Sequence, residues 1–344
     1  MKPVALVTGA VSPYRREPFR LLAEAEGLEV IAWSDPGEPV PGLTVQRTSQ
    51  AGAARLAGSG RYRAVIAGLG GRVALPATYA AARRARIPFV LWASIWSHPR
   101  TAAHRLSRLP TRLLYARSDA VVTYGPHVTA HVGRGDGVFE APQAVSAELF
   151  GRAVPDAERQ AWRERAGVAR DGFLALFAGR LEREKGVHIL LTAWRDAGLE
   201  NAVLALAGEG PVAHGGTLLG RVPRDELPGL YAAADALVLP SIRTATFTEP
   251  WGLVVNEAMH QGTPVIATDA VGAAAGGLVR HGRNGMVVPE RDPARLAAAL
   301  RELAGDAGLR ERLGAAARAD VRPYSEAAWV DGMRAALAFA GAAR

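Results

Sequence analysis

The 344-residue chain contains no cysteine. Disulfides and thiolate metal sites are therefore excluded, and a cytoplasmic protein is the expectation. No apolar run approaches the length of a membrane span. The opening residues, Met1-Lys2-Pro3-Val4-Ala5-Leu6-Val7-Thr8-Gly9, are too short and too soon broken for a secretory leader, and they read as a first strand. Low-complexity segments and short-period repeats are missing. So is any recognition-helix, zinc or stacking-aromatic motif beside the basic residues, which disfavours nucleic acid as a partner. Lysine is nearly absent as well: Lys2 and Lys185 are the only two, in a chain that otherwise uses arginine.

What is present suits a two-domain globular protein. The length supports two sizeable cores, and hydrophobic residues make up 49% of the chain. Charge is unevenly spread. Residues 1–148 carry 18 Lys+Arg against 10 Asp+Glu, a net of +8, whereas residues 149–344 carry 23 of each. A bias toward arginine accounts for the high Arg count but not for this asymmetry. A basic first half points to an anionic partner, such as a membrane surface or a phosphorylated acceptor.

Short apolar runs alternate with helical stretches. In the first half they fall at 4–7, 30–33, 64–67, 88–91 and 120–123; in the second at 174–178, 203–207, 236–239 and 264–267. Most are apolar on both faces, as in parallel strands covered by helices. Both halves therefore read as doubly wound α/β domains. Gly151, Pro155 and several charges break the pattern over 150–158, which places a domain junction there. The assignment is residues 1–149 for the first domain and 150–323 for the second, with an amphipathic stretch from about 324 to 344 packing back on the first.

Two segments of the second half carry the chemistry. The strand ending at Ala178 runs into Gly179-Arg180-Leu181-Glu182-Arg183-Glu184-Lys185-Gly186. Its end is delivered to the crevice where α/β sheets bind ligands. Arg180 offers a bidentate fork for phosphate and Lys185 a compact charge; a solvated surface turn is the competing reading. Further on, Glu249-Pro250-Trp251-Gly252-Leu253-Val254-Val255-Asn256-Glu257 sets two carboxylates eight residues apart around a helix start. Backbone amides near Gly252, Leu253 and Val254 are placed to bind an anion. Hydroxyl acceptors at both ends and an anion site between them suit a nucleotide-sugar.

Together these segments resemble the retaining glycosyltransferases of family 4, which have the GT-B fold of two Rossmann-like domains facing a central cleft. A third landmark agrees: Gly220-Arg221-Val222-Pro223, then Leu230-Tyr231-Ala232-Ala233-Ala234-Asp235 and Pro240-Ser241. The resemblance implies that Arg180 and Lys185 hold the donor diphosphate beside Gly179. It also implies that Glu249 meets the sugar, Glu257 the ribose, and Arg221-Val222 the base, with Trp251 among the donor-binding residues. It implies no cofactor, a nucleoside-diphosphate-sugar as donor substrate, and no essential metal; no Asp-x-Asp occurs in the chain.

In the first half, Ser12-Pro13-Tyr14-Arg15 follows the first strand and resembles a Pro-Tyr-Arg variant of the family's cleft loop. It lacks the paired glycines of other members, so Gly9 is the candidate for close backbone approach. Arg15 could bind donor phosphate or an acceptor, or form a structural salt bridge. The family's usual histidine aligns with His98 or, in another register, with Ser94. His104 and His127 read as structural. Arg100, Arg105, Arg108, Arg112 and Arg117 alternate with Leu106, Leu109, Leu113 and Leu114. This is the pattern of an interfacial helix, or of an ordinary helix with its leucines inward. Pro110 is expected to split it in two.

A short-chain dehydrogenase is excluded because neither lysine has a tyrosine four residues before it. The function expected is sugar transfer, with retention, to a hydroxyl acceptor in cell-surface polysaccharide or glycolipid assembly, by a cytoplasmic protein peripheral to the membrane. Decoration of a soluble secondary metabolite and a catalytically degenerate binding protein are the alternatives.

Overall fold

The computed structural model describes residues 2–98, 101–212 and 215–342, with the backbone alone for 102–105. The chain divides into two compact units, Met1–Ala144 with Ser325–Arg344, and Val145–Tyr324.

The first unit is built on a parallel seven-stranded sheet. Its strands are β1 (Val4–Ala10), β2 (Leu28–Asp35), β3 (Thr44–Arg47), β4 (Ala64–Gly68), β5 (Phe89–Ala93), β6 (Ala120–Thr123) and β7 (Val138–Glu140), in the order β3-β2-β1-β4-β5-β6-β7. One core cluster gathers Leu6, Phe19, Leu22, Trp92, Trp329 and Met333, under the helices Pro13–Glu26 and Glu326–Ala342. Trp329 lies 5.7 Å from Phe19 and 5.5 Å from Trp92 between ring centres. This helix from the end of the chain thus fills a space in the core rather than lying on it. A second cluster, with Ala53, Tyr62, Phe89 and Tyr115, forms with side chains of the opposite strand parity.

The second unit has a parallel six-stranded sheet of β8 (Phe173–Ala178), β9 (Ala202–Ala207), β10 (Thr217–Gly220), β11 (Ala236–Leu239), β12 (Val265–Thr268) and β13 (Gly285–Val288), in the order β10-β9-β8-β11-β12-β13. Strand order reverses between β1 and β4 in one unit and between β8 and β11 in the other. In doubly wound sheets, ligands bind at the carboxyl ends of the strands flanking such a reversal.

Every apolar run expected as a strand is one, with boundaries shifted by at most three residues. The four strands not anticipated, β3, β7, β10 and β13, are the four sheet edges. Edge strands are covered less completely, so they need not be continuously apolar: β3 reads Thr-Val-Gln-Arg and is largely exposed.

The stretch 100–117 departs from expectation at Pro110, and its exposed leucines match the first of the two readings weighed. Helix Ala102–Arg117 runs through Pro110 without a break. The missing N–H leaves one carbonyl of the preceding turn without its helical partner, and Pro110 is on the exposed side where water reaches it. Three of the four leucines do not face inward: Leu106, Leu109 and Leu113 are 82%, 72% and 57% exposed, whereas Leu114 packs against the core. Arg100 and the side chains of His104 and Arg105 lie outside the described residues.

Candidate functional site

The site in the second unit forms where three strand ends meet. Beyond β8 the chain enters a 3-10 turn, Arg183–Lys185, which the Ile242 N–H bonds through the Glu184 carbonyl at 3.0 Å. Gly186 follows with φ +71°, and a Cβ there would stand 1.8 Å from the Pro240 carbonyl oxygen. Only glycine lets this turn press against the end of β11. Lys185 is fixed as a result, with its ammonium 5.1 Å from the ring centre of Phe247.

The Glu249 segment is pinned from the other side. The Glu249 carbonyl accepts from Gly272 N–H at 3.2 Å, and the Trp251 carbonyl accepts from Ala273 N–H at 2.8 Å. Helix Leu253–His260 then starts at Gly252, whose φ of +93° and close contact with Leu239 exclude a side chain. The first-turn amides of Leu253 and Val254 precede any helical acceptor, so they are donors aimed off the helix end.

These two segments bring together Lys185 and Glu249. Lys185 Nζ is ion-paired to Glu249 Oε2, with side-chain exposures of 15% and 8%. Ser241 Oγ donates to the same oxygen at 3.1 Å. Glu257, about one turn into the helix, accepts from the Tyr231 hydroxyl at 2.6 Å. Burial pushes the Glu257 carboxyl above its ordinary value, with the Tyr231 bond and the Arg224 charge opposing it. Burial, with the Glu257 charge beside it, also pushes the Tyr231 phenol well up.

Other expected residues are placed differently. Arg180 is 58% exposed and paired within its own loop to Glu182 and, at 3.3 Å, to Glu184. A Cβ on Gly179 would stand 3.6 Å from the Phe177 ring, in ordinary contact. Trp251, expected among the donor-binding residues, is buried: its indole N–H donates to Asn256 Oδ1 at 2.7 Å and its ring lies 5.6 Å from Tyr324. Its side chain is a packing group that anchors the helix start. Arg221 and Val222 follow β10, where the Gly220 carbonyl accepts from Gly208 N–H at 2.8 Å; Arg221 is exposed and Val222 half-buried. Ser241 and Tyr231 were visible only as members of a motif, because their bonds to the two glutamates cross 8 and 26 residues of sequence.

In the first unit, Gly9 ends against an indole: a Cβ there would meet Trp33 at 3.3 Å. Arg15 is buried, and Nη2 donates to Tyr124 Oη and Gln143 Oε1, both at 2.8 Å. Among the described residues it has no ion-pair partner, so the salt bridge weighed from the sequence is not formed. His98 lies half-buried in the loop after β5. Burial first, and then His98, lower the pKa of His131, and Ser94 lies beside Tyr124. His127 packs edge-on to Trp96 at 5.4 Å. Among the described residues, no group of three or more His, Asp or Glu could hold a metal ion.

Residues 158–320 match the family model described as glycosyl transferases group 1. Curated relatives include an uncharacterized glycosyltransferase of Methanocaldococcus jannaschii, 33% identical over 186 residues, covering 50% of this chain and 45% of that protein. Another is the D-inositol 3-phosphate glycosyltransferase of Streptomyces bingchenggensis, 36% identical over 190 residues, covering 48% and 40%. The chain thus spans less than half the length of these relatives. Among solved structures, Anabaena HepE in complex with UDP-glucose is similar with a TM-score of 0.79 at 20% identity, over 98% of this chain and 99% of that one. Sucrose-phosphate synthase from Thermosynechococcus elongatus is similar at 0.75 and 21%, over the whole of both. The protein has the GT-B fold, and residues 158–320, a little under half of the chain, are similar to the glycosyl transferases group 1 family.

Proposed function

We propose that the protein is a retaining glycosyltransferase of family 4, moving a sugar from a nucleoside-diphosphate-sugar to a hydroxyl acceptor without a metal or cofactor. The observation that carries this reading is the Lys185–Glu249 pair at the β8/β11 reversal, beside the amide end of helix Leu253–His260. A cation and aligned amides suit a diphosphate. Carboxylates at Glu249 and Glu257 suit hydroxyls on the sugar and ribose. UDP-glucose bound to HepE, on the same fold, supports a donor of this class.

The reaction breaks the bond between the anomeric carbon and the diphosphate oxygen, and the electron pair leaves with the diphosphate. The acceptor oxygen bonds to that carbon from the same face, and its proton passes to the departing phosphate oxygen. No glutamate is needed as a nucleophile in this front-face route, unlike the paired carboxylates of a retaining glycosidase. The protein's task is to stabilise charge on the leaving group. Lys185 and the amides of Leu253 and Val254 supply this, with Arg180 turning from its own loop onto the phosphate and Gly179 giving close backbone approach. Glu249 orients the sugar and Glu257 grips the ribose. Arg221 and Val222 border the base.

The acceptor belongs to cell-surface polysaccharide or glycolipid assembly, and the protein works in the cytoplasm on an anionic membrane surface. Support comes from helix Ala102–Arg117, where Leu106, Leu109 and Leu113 are exposed at helical spacing with Arg108 and Arg112 between them. Such a helix lies in an interface. Among the described residues no helix is long and apolar enough to cross a membrane. The reading is tested by release of free nucleotide from a panel of nucleoside-diphosphate-sugars, followed by comparison of lipid-linked and soluble acceptors. No hydrolysis of any donor by folded protein would overturn it.

A further inference from the structure

The connection from β11 to helix Leu253–His260 carries a large apolar side chain outside the core. Its outer part reads Arg243-Thr244-Ala245-Thr246-Phe247-Thr248, and Phe247 is half-buried. Burial alone gives a phenylalanine little reason to sit in such a polar turn. The turn is nevertheless built to hold it. The Thr244 N–H donates to the Phe247 carbonyl at 2.8 Å, and the Phe247 N–H donates to Thr244 Oγ1 at 3.0 Å. At the base, Arg243 donates through its backbone N–H and Nη1 to the Glu290 carboxylate, at 2.5 and 2.8 Å, and through Nη2 to the Asp269 carbonyl at 2.7 Å. With the Ile242 bond to the Glu184 carbonyl, the turn is braced on segments that follow β8, β12 and β13.

What this brace delivers is the Phe247 ring at the Lys185 ammonium, 5.1 Å from ring centre to Nζ. A π face attracts a cation within about 6 Å, and most strongly where water is kept away, as it is beside this nearly closed side chain. An ammonium has three N–H donors. Among the described residues, Glu249 is the carboxylate paired with Lys185, and the ring holds the same charge without an oxygen acceptor. The two contacts differ in what a substrate does to them. A sugar hydroxyl competes for Glu249 but not for the ring. The ring therefore keeps Lys185 in place when its carboxylate is drawn to the sugar, with N–H groups left for the leaving diphosphate.

We propose that Phe247 is a positioning residue for sugar transfer: its ring face holds the Lys185 ammonium against the leaving diphosphate. The inference rests on the glycosyltransferase reading, because the diphosphate is that of the donor. It differs from a packing role in depending on the charge distribution of the ring. Leucine or a fluorinated ring fills similar space with an absent or weaker π attraction.

Lys2 and Lys185 are the only lysines, so isotope-labelled lysine gives two ε-methylene signals by NMR, which Lys185→Arg assigns. In the wild-type protein the Lys185 signal should lie upfield of the Lys2 signal through the ring current of Phe247, and it should stay upfield under saturating UDP. Phe247→Leu should remove that shift. A second arm replaces Phe247 with phenylalanines of increasing fluorination, in full chains shown by thermal unfolding to be folded, and follows hydrolysis of the best donor. The proposal predicts that kcat falls stepwise with fluorine count, by about threefold to thirtyfold across the series, with KM unchanged. Phe247→Leu should fall as far, and Phe247→Tyr, which keeps the π face, should recover most of the loss. A Lys185 signal without the upfield shift, or a level kcat across the fluorinated series, would overturn the proposal. Donor hydrolysis by no protein in the set, with the shift present, would instead sink the glycosyltransferase reading, and the positioning role with it.

Discussion

Oε2 of Glu249 is shared between the Lys185 ammonium, which pairs with it, and the Ser241 hydroxyl, 3.1 Å away. The pair is nearly closed to solvent, so each charge depends on the other. Removing one partner of such a pair costs about 3–5 kcal/mol, while replacing both with apolar groups is often neutral. Lys185→Met and Glu249→Leu should each lower stability by that order, and the double variant by clearly less than their sum. Urea unfolding of the four proteins checks this; additive losses would show that the pair is not coupled.

Glu257 should act on the nucleotide. Glu257→Ala is expected to weaken binding of free UDP by about 1.5–3 kcal/mol, the worth of a hydrogen bond to a charged group. Glu249→Ala should leave UDP binding within a few-fold but damage turnover. Burial raises the Glu257 pKa, and the ionised form is the better acceptor. UDP affinity should therefore begin to fall at a pH above the ordinary carboxylate range as acid is added. Calorimetry across pH 4.5–7.5 reads both effects; reversed behaviour of the two glutamates would contradict the division of roles.

Asp320 is a structural counterpart with no part in chemistry. Bonds from Arg283 first, then Asn284, with the Arg280 charge, hold its carboxyl down at about 2 from 3.8. A depressed folded pKa means stability that is complete above about pH 4 and is lost as pH falls toward 2. The shift corresponds to about 2 kcal/mol. Asp320→Asn should lose this at pH 7 and show a flatter stability profile between pH 4 and 2.

Gly186→Ala should be far worse than its backbone angle alone implies. Left-handed alanine costs about 1–2 kcal/mol. At Gly167, where φ is +76° and nothing lies within 4 Å, that should be the whole effect. At Gly186 the Pro240 carbonyl adds overlap of about 1–3 kcal/mol. Thermal unfolding of the two variants side by side measures the difference, and equal losses would show that the turn relaxes away from β11.

Helix Ala102–Arg117 should carry membrane binding. Replacing Leu106, Leu109 and Leu113 together with glutamine should abolish co-sedimentation with anionic vesicles and leave donor hydrolysis in solution intact. Burial of each leucine contributes about 1.5–3 kcal/mol. Equal sedimentation with neutral and anionic vesicles would remove the role of Arg108 and Arg112.

Legibility in the sequence followed burial. Strands covered on both faces, such as Ala120–Thr123 and Ala236–Leu239, were readable to the residue because their composition records full burial. The edges β3, β7 and β10 were not, since they are partly exposed and lack a continuous apolar run, while β13, Gly-Met-Val-Val, is apolar and mostly buried but only four residues long. Glu249 and Lys185 were readable as candidates through their motifs, but their direct pairing was not, because it depends on Gly186 pressing on Pro240. Trp251 shows the opposite limit: an aromatic inside a functional motif serves packing through Asn256. The exposed leucines of 106–113 satisfy the same periodicity as buried ones, so the pattern marked a face without telling which way it turned.

The most direct test of the account is the turnover of Lys185→Ala on the nucleoside-diphosphate-sugar that the wild-type protein hydrolyses best. Loss of one preorganised donor to the leaving group should raise the barrier by about 3–4 kcal/mol. The account predicts a fall in kcat of about a hundredfold to a thousandfold in a variant that still binds UDP. Full kcat in Lys185→Ala would contradict it.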